Sequence, residues 1–342
     1  MVIMRVLITG NLGYIGHIVT DAFLSKNFEV VGLDAGYFKN FLPHSESREN
    51  LQQIIKDIKD VSEKDLKNID IVTHFAAISN DPSGELNPQL TNEVNFLATK
   101  KLAELSKKAG IKKFLFSSSC AVYGMSDGLV NETSECKPLT TYAKSKLLSE
   151  REILKMSDKN FKTVVLRSAT AFGVSPKMRL DLVVNSMTAR AFLTGILELS
   201  SEATVWRPLV HVKDIANAFL LTSLADSDLV DGEIFNVGEN SQNYQVQDIA
   251  KIVVEEVPNT KLKRTESNNN DQRTYRVDFA KIKETLGFTP QITVRDGVKE
   301  IYEYLKKIRL KKKDFESEKY QTVKHYKKLL ESKFVGNVQI KK

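Results

Sequence analysis

Apolar positions in the first half of the chain fall into short runs separated by stretches with helical spacing. Val6-Leu7-Ile8-Thr9, Phe28-Glu29-Val30-Val31-Gly32-Leu33 and Ile69-Asp70-Ile71-Val72-Thr73-His74-Phe75-Ala76-Ala77 each read as a buried strand. Residues 112–117 and 163–166 supply two more, and helical periodicity runs through about 92–109 and 140–156. Strands alternating with helices in this order predict an α/β fold, a doubly wound parallel sheet covered by helices. That sheet is expected mainly from residues 1–172, with about 206–237 returning to it. A smaller α/β lobe would draw on 173–205 and 238–305, with 306–342 a basic helical tail. The run Asn268-Asn269-Asn270-Asp271 reads as a flexible loop.

The first strand runs directly into Gly10-Asn11-Leu12-Gly13-Tyr14-Ile15-Gly16. Glycines there permit a tight turn and a close backbone approach, and the N-terminus of the following helix attracts a pyrophosphate. The second strand ends in Asp34, eighteen residues beyond the last glycine. A carboxylate at that place hydrogen-bonds an adenosine ribose and repels a 2′-phosphate, so the two features predict NAD rather than NADP.

Tyr142-Ala143-Lys144-Ser145-Lys146 lies on a predicted helix, where positions i and i+4 share a face. A free tyrosine titrates near ~10 and is a poor base at neutral pH. Bringing it to about pH 7 takes ~4 kcal/mol of differential stabilisation, expected from Lys146 and an oxidised nicotinamide. The preceding strand ends in Ser117-Ser118-Ser119, three hydroxyls poorly suited to a core. At the C-terminal end of a strand, one of them could hydrogen-bond a reacting sugar hydroxyl.

Composition narrows the picture without redirecting it. The chain has 342 residues, 42% of them apolar, enough for a substantial core. No apolar run approaches membrane-spanning length and no secretory leader opens the chain, so neither a membrane nor export is expected. Cys120 and Cys136 form neither a disulfide framework nor a metal-ligand cluster, which points to a reducing cytoplasm and no metal. Much of the net charge of +7 sits in Lys306-Lys307-Ile308-Arg309-Leu310-Lys311-Lys312-Lys313, read as a solvated helical face and not a nucleic-acid site.

Taken together, these residues resemble the extended short-chain dehydrogenase/reductase family, in particular the NAD-dependent epimerases and dehydratases of nucleotide sugars, of the UDP-glucose 4-epimerase type. The likeness covers about residues 4–300 and adds Asp57-Ile58, His74-Phe75-Ala76-Ala77, Asn95 and Val122-Tyr123-Gly124 to the motifs above. It implies a Rossmann domain that binds NAD, followed by a nucleotide-sugar-binding lobe, in a homodimer joined through the helices near 92–109 and 140–156. It further implies that Asp57 and Ile58 flank the adenine, that Phe75, Ala76 and Ala77 line the cofactor, and that Asn95 supports the site. Tyr14, Ile15 and Ser117 fall beside the cofactor by the same likeness. Ser119, Tyr142 and Lys146 match the catalytic set, whereas His74 is read as structural. Trp206-Arg207-Pro208-Leu209-Val210-His211 and Asp271-Gln272-Arg273-Thr274-Tyr275-Arg276 resemble phosphate-contacting elements, with Arg207 and Arg273 as the candidates. Arginine suits phosphate because its planar fork binds two oxygens at once, although either could instead form a structural ion pair. Arg179 and Asn185 are further candidates for sugar or diphosphate contacts.

Two departures from the pattern guide the reaction assignment. The related 4,6-dehydratases place Asp-Glu directly after the catalytic hydroxyl residue, where this chain has Cys120-Ala121. Many relatives carry Asn where this chain has Thr170, a substrate position, so an unusual sugar is expected. The reading is therefore an epimerase (an isomerase of carbohydrate biosynthesis), acting at C4 through a transient keto sugar with Tyr142 as base. The alternatives are a dehydratase or ketoreductase of deoxysugar synthesis, or a non-catalytic dinucleotide-binding regulator.

Overall fold

The computed structural model describes residues 3–42, 49–200, 203–265 and 273–332. The asparagine-rich run at 268–271 lies outside them. The centre of the fold is a seven-stranded sheet in which every pairing is parallel. Strands β1 (Arg5–Thr9), β2 (Glu29–Asp34), β3 (Leu51–Ile55), β4 (Ile71–His74) and β5 (Lys113–Ser119) are joined by Lys162–Ser168 and Glu233–Val237. Across the sheet the order is Glu233–Val237, Lys162–Ser168, β5, β4, β1, β2, β3. The order in which strands are added reverses between β1 and β4, and the crevice outside the strand ends at such a switch point is where open α/β sheets bind ligands.

Apolar runs become strands buried on both faces, because helices cover each side of the sheet. Phe23, Phe114 and Phe116 are fully enclosed there, each contributing about 2–3 kcal/mol of burial. Within 206–237, Glu233–Val237 adds a strand to this sheet and helix Val212–Leu224 packs against helix α1 (Tyr14–Leu24). Trp206–His211 instead forms a small sheet with Thr170–Phe172 and Asn243–Gln245. A second core joins helices Val183–Thr194, Val246–Glu256 and Val294–Lys307.

The two cores are stitched at one corner. The Tyr14 phenol donates to the Gly173 carbonyl at 2.7 Å, and the Ser175 hydroxyl donates to the Tyr14 carbonyl at 2.7 Å. No helix among the described residues is long and apolar enough to cross a membrane.

Candidate active site

The glycine turn has the shape that close ligand approach requires. Gly10 sits at φ +72°, and a Cβ on it would lie 2.7 Å from the Ala76 nitrogen. A Cβ on Gly16 would meet the Gly10 carbonyl oxygen at 2.1 Å. Helix α1 starts at Gly13 with no side-chain cap, so its first N–H groups remain available to an anion. At the end of β2, the Asp34 carboxylate accepts hydrogen bonds from the Leu12 nitrogen (3.1 Å) and the Gly36 nitrogen (2.7 Å). Burial holds its carboxyl above the ordinary value despite these bonds. Asp57 caps a short turn through the Lys59 nitrogen at 2.9 Å and accepts the Tyr37 phenol at 3.2 Å.

One cleft gathers the expected cofactor residues. Gly10, Gly13, Tyr14, Ile15, Gly16, Asp34, Asp57 and Ile58 line one end. Phe75, Ala76, Ala77, Ser117, Tyr142 and Lys146 line the remainder. Asn95 stands behind this wall. A π-helical stretch, Glu93–Leu97, turns its amide onto the Ile78 nitrogen and carbonyl (2.8 and 3.1 Å) and onto the Ser145 hydroxyl (3.2 Å). It thereby ties the Ile78 loop to the helix bearing Tyr142.

That helix, Thr141–Lys155, is capped by the Thr140 hydroxyl, which accepts from the Ala143 nitrogen at 3.1 Å. The cap fixes the register that puts Tyr142 in the first turn and Lys146 one turn later on the same face. The three serines at the end of β5 divide the work. Ser117 offers its carbonyl to the Lys146 ammonium at 2.6 Å, Ser118 donates to Glu150, and the Ser119 hydroxyl is near enough to the Tyr142 phenol to favour its ionised form. Burial pushes the Lys146 ammonium down to about 7, with Glu150 pulling the other way.

The protein alone, without the oxidised nicotinamide that the expectation also counts on, leaves the Tyr142 phenol unactivated. Burial first, and the Asp81 carboxylate next, hold the Tyr142 phenol above its ordinary value; the Ser119 hydroxyl and Arg179 oppose them. Lys146 is engaged with the Ser117 carbonyl, 5.9 Å from the Tyr142 ring centre, and does not overcome the desolvation.

On the substrate side, Thr170 is half-buried beside the cleft residue Ala171. Arg179 lines the cleft and grips Asp181 through two 2.9 Å hydrogen bonds. Asn185 is fully buried and braces that segment, donating to the Arg179 carbonyl at 2.8 Å and accepting from the Gly173 nitrogen at 3.1 Å. Arg273 reaches back to the first lobe to pair with Asp81, which also accepts from Thr140. Arg207 donates to the Trp206 carbonyl at 2.8 Å and to the Arg273 carbonyl. Neither Arg207 nor Arg273 lines the cleft itself.

Cys120 is a packing residue, 1% exposed, its thiol pushed up by burial. His74 is structural. Its Nδ1 lies 2.6 Å from the Thr9 hydroxyl and its Nε2 2.7 Å from the Thr99 hydroxyl. Burial, helped by Lys146, lowers its pKa from 6.5 to about 3. An unfolded chain takes up this proton near 6.5 and the folded one resists it, so the stability His74 contributes is complete above 6.5 and is lost as pH falls toward about 3. Replacing His74 with leucine should cost about 2–4 kcal/mol in urea unfolding, because two buried hydroxyls lose a partner. The variant should also show a flatter acid limb over that pH window.

Sequence reasoning missed Tyr37, Phe38, Lys177, Thr322 and Tyr326, all of which line the same cleft. The last two sit on the helical tail. Apolar spacing marks that tail as a docked helix, but no local signal says where it docks.

The family model for the NAD-dependent epimerase/dehydratase family matches residues 6–238, well over half of the chain. The chain belongs to that family. A putative UDP-glucose 4-epimerase of Methanocaldococcus jannaschii is 28% identical over 316 residues, covering 88% of this chain and 98% of the relative. The mouse dTDP-D-glucose 4,6-dehydratase is 28% identical over 324 residues, 89% of each chain. The structure of MoeE5 in complex with UDP-glucose and NAD superposes with a TM-score of 0.78 at 26% identity, over 90% of this chain and all of that one. The protein is thus an NAD-dependent enzyme of the epimerase/dehydratase type with a Rossmann-like sheet. The glycine turn that a Cβ would fill, the uncapped helix start and Asp34 are the residues that fit the dinucleotide.

Proposed function

We propose that this enzyme inverts C4 of a nucleotide-diphosphate sugar without net redox change. The observation that carries this reading is the pairing of Tyr142 with Ser119 at the end of β5, next to buried Cys120 and Ala121 in place of carboxylates. NAD, when bound, supplies the hydride acceptor and donor. Tyr142 takes the proton from the sugar hydroxyl, and Ser119 orients that hydroxyl by hydrogen bonding. Lys146 anchors the nicotinamide end of the cleft from the Ser117 carbonyl. Once the keto sugar has turned over within the cleft, Tyr142 would return the proton to the C4 oxygen as the hydride that bound NAD would supply reaches the other face. Cys120, a neutral buried thiol, and Ala121 offer no acid or base for eliminating water, which disfavours the dehydratase alternative.

Arg179 supports a role in holding the diphosphate or sugar, since it is the arginine that faces the cleft. Arg207 and Arg273 are not among the cleft-lining residues; Arg273 pairs with Asp81 and Arg207 holds the Arg273 carbonyl, so we assign them to positioning Asp81. A homodimer fits the paired helices near 92–109 and 140–156, which leave Leu97 and Leu148 at 50% and 41% exposure. A reducing cytoplasm fits the two free cysteines.

The reading is tested by incubating the enzyme with a panel of UDP- and dTDP-hexoses and following products by proton NMR and mass spectrometry. Interconversion of C4 epimers with no reduced cofactor accumulating is the expected result. A product lighter by one water, or stoichiometric consumption of NADPH, overturns it.

A further inference from the structure

The tail beyond the second core has no part in the catalytic reading, yet it completes the cleft. Helix Thr322–Glu331 presents Thr322 and Tyr326, one helical turn apart, to the cofactor end. Thr322 is 2% exposed, and its hydroxyl has no hydrogen-bond partner in the protein. Buried hydroxyls are nearly always paired, so an orphan lining a ligand cleft marks a group kept for the ligand.

Tyr326 points to the same ligand from one turn further along. It is 6% exposed and packs with Ile78, Leu90, Tyr37 and Phe38, its ring meeting that of Phe38 edge-on at 5.6 Å. Burial raises its phenol, and so does the charge of Asp34 at the end of β2. Tyr37, which packs with it, donates to Asp57, so Tyr326 stands at the adenosine end of the cleft.

The helix is fastened to the loop that follows Asp34. The His325 Nε2 donates to the Tyr37 carbonyl at 2.9 Å, and its ring lies 4.8 Å from Phe38 and 4.9 Å from Phe41. Lys177, 2% exposed, closes the seam: its ammonium reaches the Lys319 carbonyl at 3.2 Å and covers the Phe38 ring at 4.3 Å. No carboxylate hydrogen-bonds that ammonium among the described residues, and Ser175, two positions before it, is bonded to the start of α1. Burial first, and Arg179 next, push this ammonium down to about 7, with Asp181 opposing; it lines the cleft, and an anionic pyrophosphate there would hold it charged.

We propose that helix Thr322–Glu331 is the outer wall of the NAD site, with Thr322 and Tyr326 hydrogen-bonding the adenosine and pyrophosphate half and Lys177 balancing its charge. The cofactor then leaves only when this helix lifts off the Tyr37–Phe41 loop. The inference rests on the cleft being the NAD site. It gives the basic tail a task that the catalytic set does not need.

Exchange of bound NAD measures this directly. The full chain, loaded with radiolabelled NAD, is diluted into excess unlabelled NAD and the retained label is followed with time. Three variants are compared with it: Thr322→Val with Tyr326→Phe, which keeps shape and removes two hydroxyls; Lys177→Met; and a chain ending at Gln321. Each should release label at least about tenfold faster, the factor that ~1.4 kcal/mol represents. Thermal unfolding of the isosteric pair without NAD reports whether its fold is kept, and that variant decides the matter if the shortened chain does not fold. Unchanged exchange in the folded isosteric variant overturns the proposal while leaving the NAD site standing. Failure of the full chain to take up NAD at all overturns both.

Discussion

Replacing Tyr142 with phenylalanine should reduce turnover about 10³–10⁴-fold. The substitution removes the one oxygen proposed to take the sugar proton, while the ring still fills its place in the cleft. Retention of NAD should stay near that of the parent, which separates loss of chemistry from loss of the site. Because burial and Asp81 hold the phenol high, turnover in the parent should climb with pH as the phenol ionises. Asp81→Asn removes the second of those causes, so the climb should begin at lower pH. A Tyr142→Phe enzyme with parental turnover would remove Tyr142 from the role of base.

Arg167→Met should destabilise the fold by about 3–5 kcal/mol in urea unfolding. Arg167 and Glu150 are 3% and 1% exposed, and the guanidinium grips the carboxylate with three hydrogen bonds of 2.7, 3.0 and 3.2 Å. The remaining guanidinium nitrogen donates to the Tyr123 phenol at 3.0 Å, and that phenol donates to Asn236 at 2.8 Å. Removing the cation strands a buried carboxylate one turn past Lys146. Replacing both partners, as Arg167→Met with Glu150→Leu, should recover most of the loss, since paired buried charges are worth little over well-packed apolar groups. Equal losses in the single and double variants would show that packing, not the stranded charge, sets the cost.

The part of the candidate site that spacing alone points to is local in the chain. The glycine turn, Asp34, the serine run and Tyr142 with Lys146 are each fixed by a strand end or by one helical turn, and the physical requirement shows within a few residues. The sheet was legible where both faces are buried, in β1, β2, β4 and β5. Strand β3 was not, because Leu51-Gln52-Gln53-Ile54-Ile55 lies at the edge and offers no apolar run. Its Gln53 pairs with the Asn11 amide at 2.7 Å, a contact across 42 residues that no local pattern announces. Lys177, Thr322 and Tyr326 were hidden for the same reason, since tertiary packing alone brings them to the cleft. The Tyr142 environment needed the structure too, because spacing shows that Lys146 is near but not that desolvation and Asp81 outweigh it.

The stitch between Tyr14, Gly173 and Ser175 carries a thermodynamic consequence. The first residue of the dinucleotide-binding helix is held by the segment that continues into Arg179, so the two ligands press on one continuous piece of backbone. Whatever factor NAD adds to the affinity for the nucleotide sugar, the sugar must return to NAD in full. A favourable coupling through this stitch would make the enzyme hold its cofactor hardest while substrate is present, when losing it would strand a half-reacted sugar.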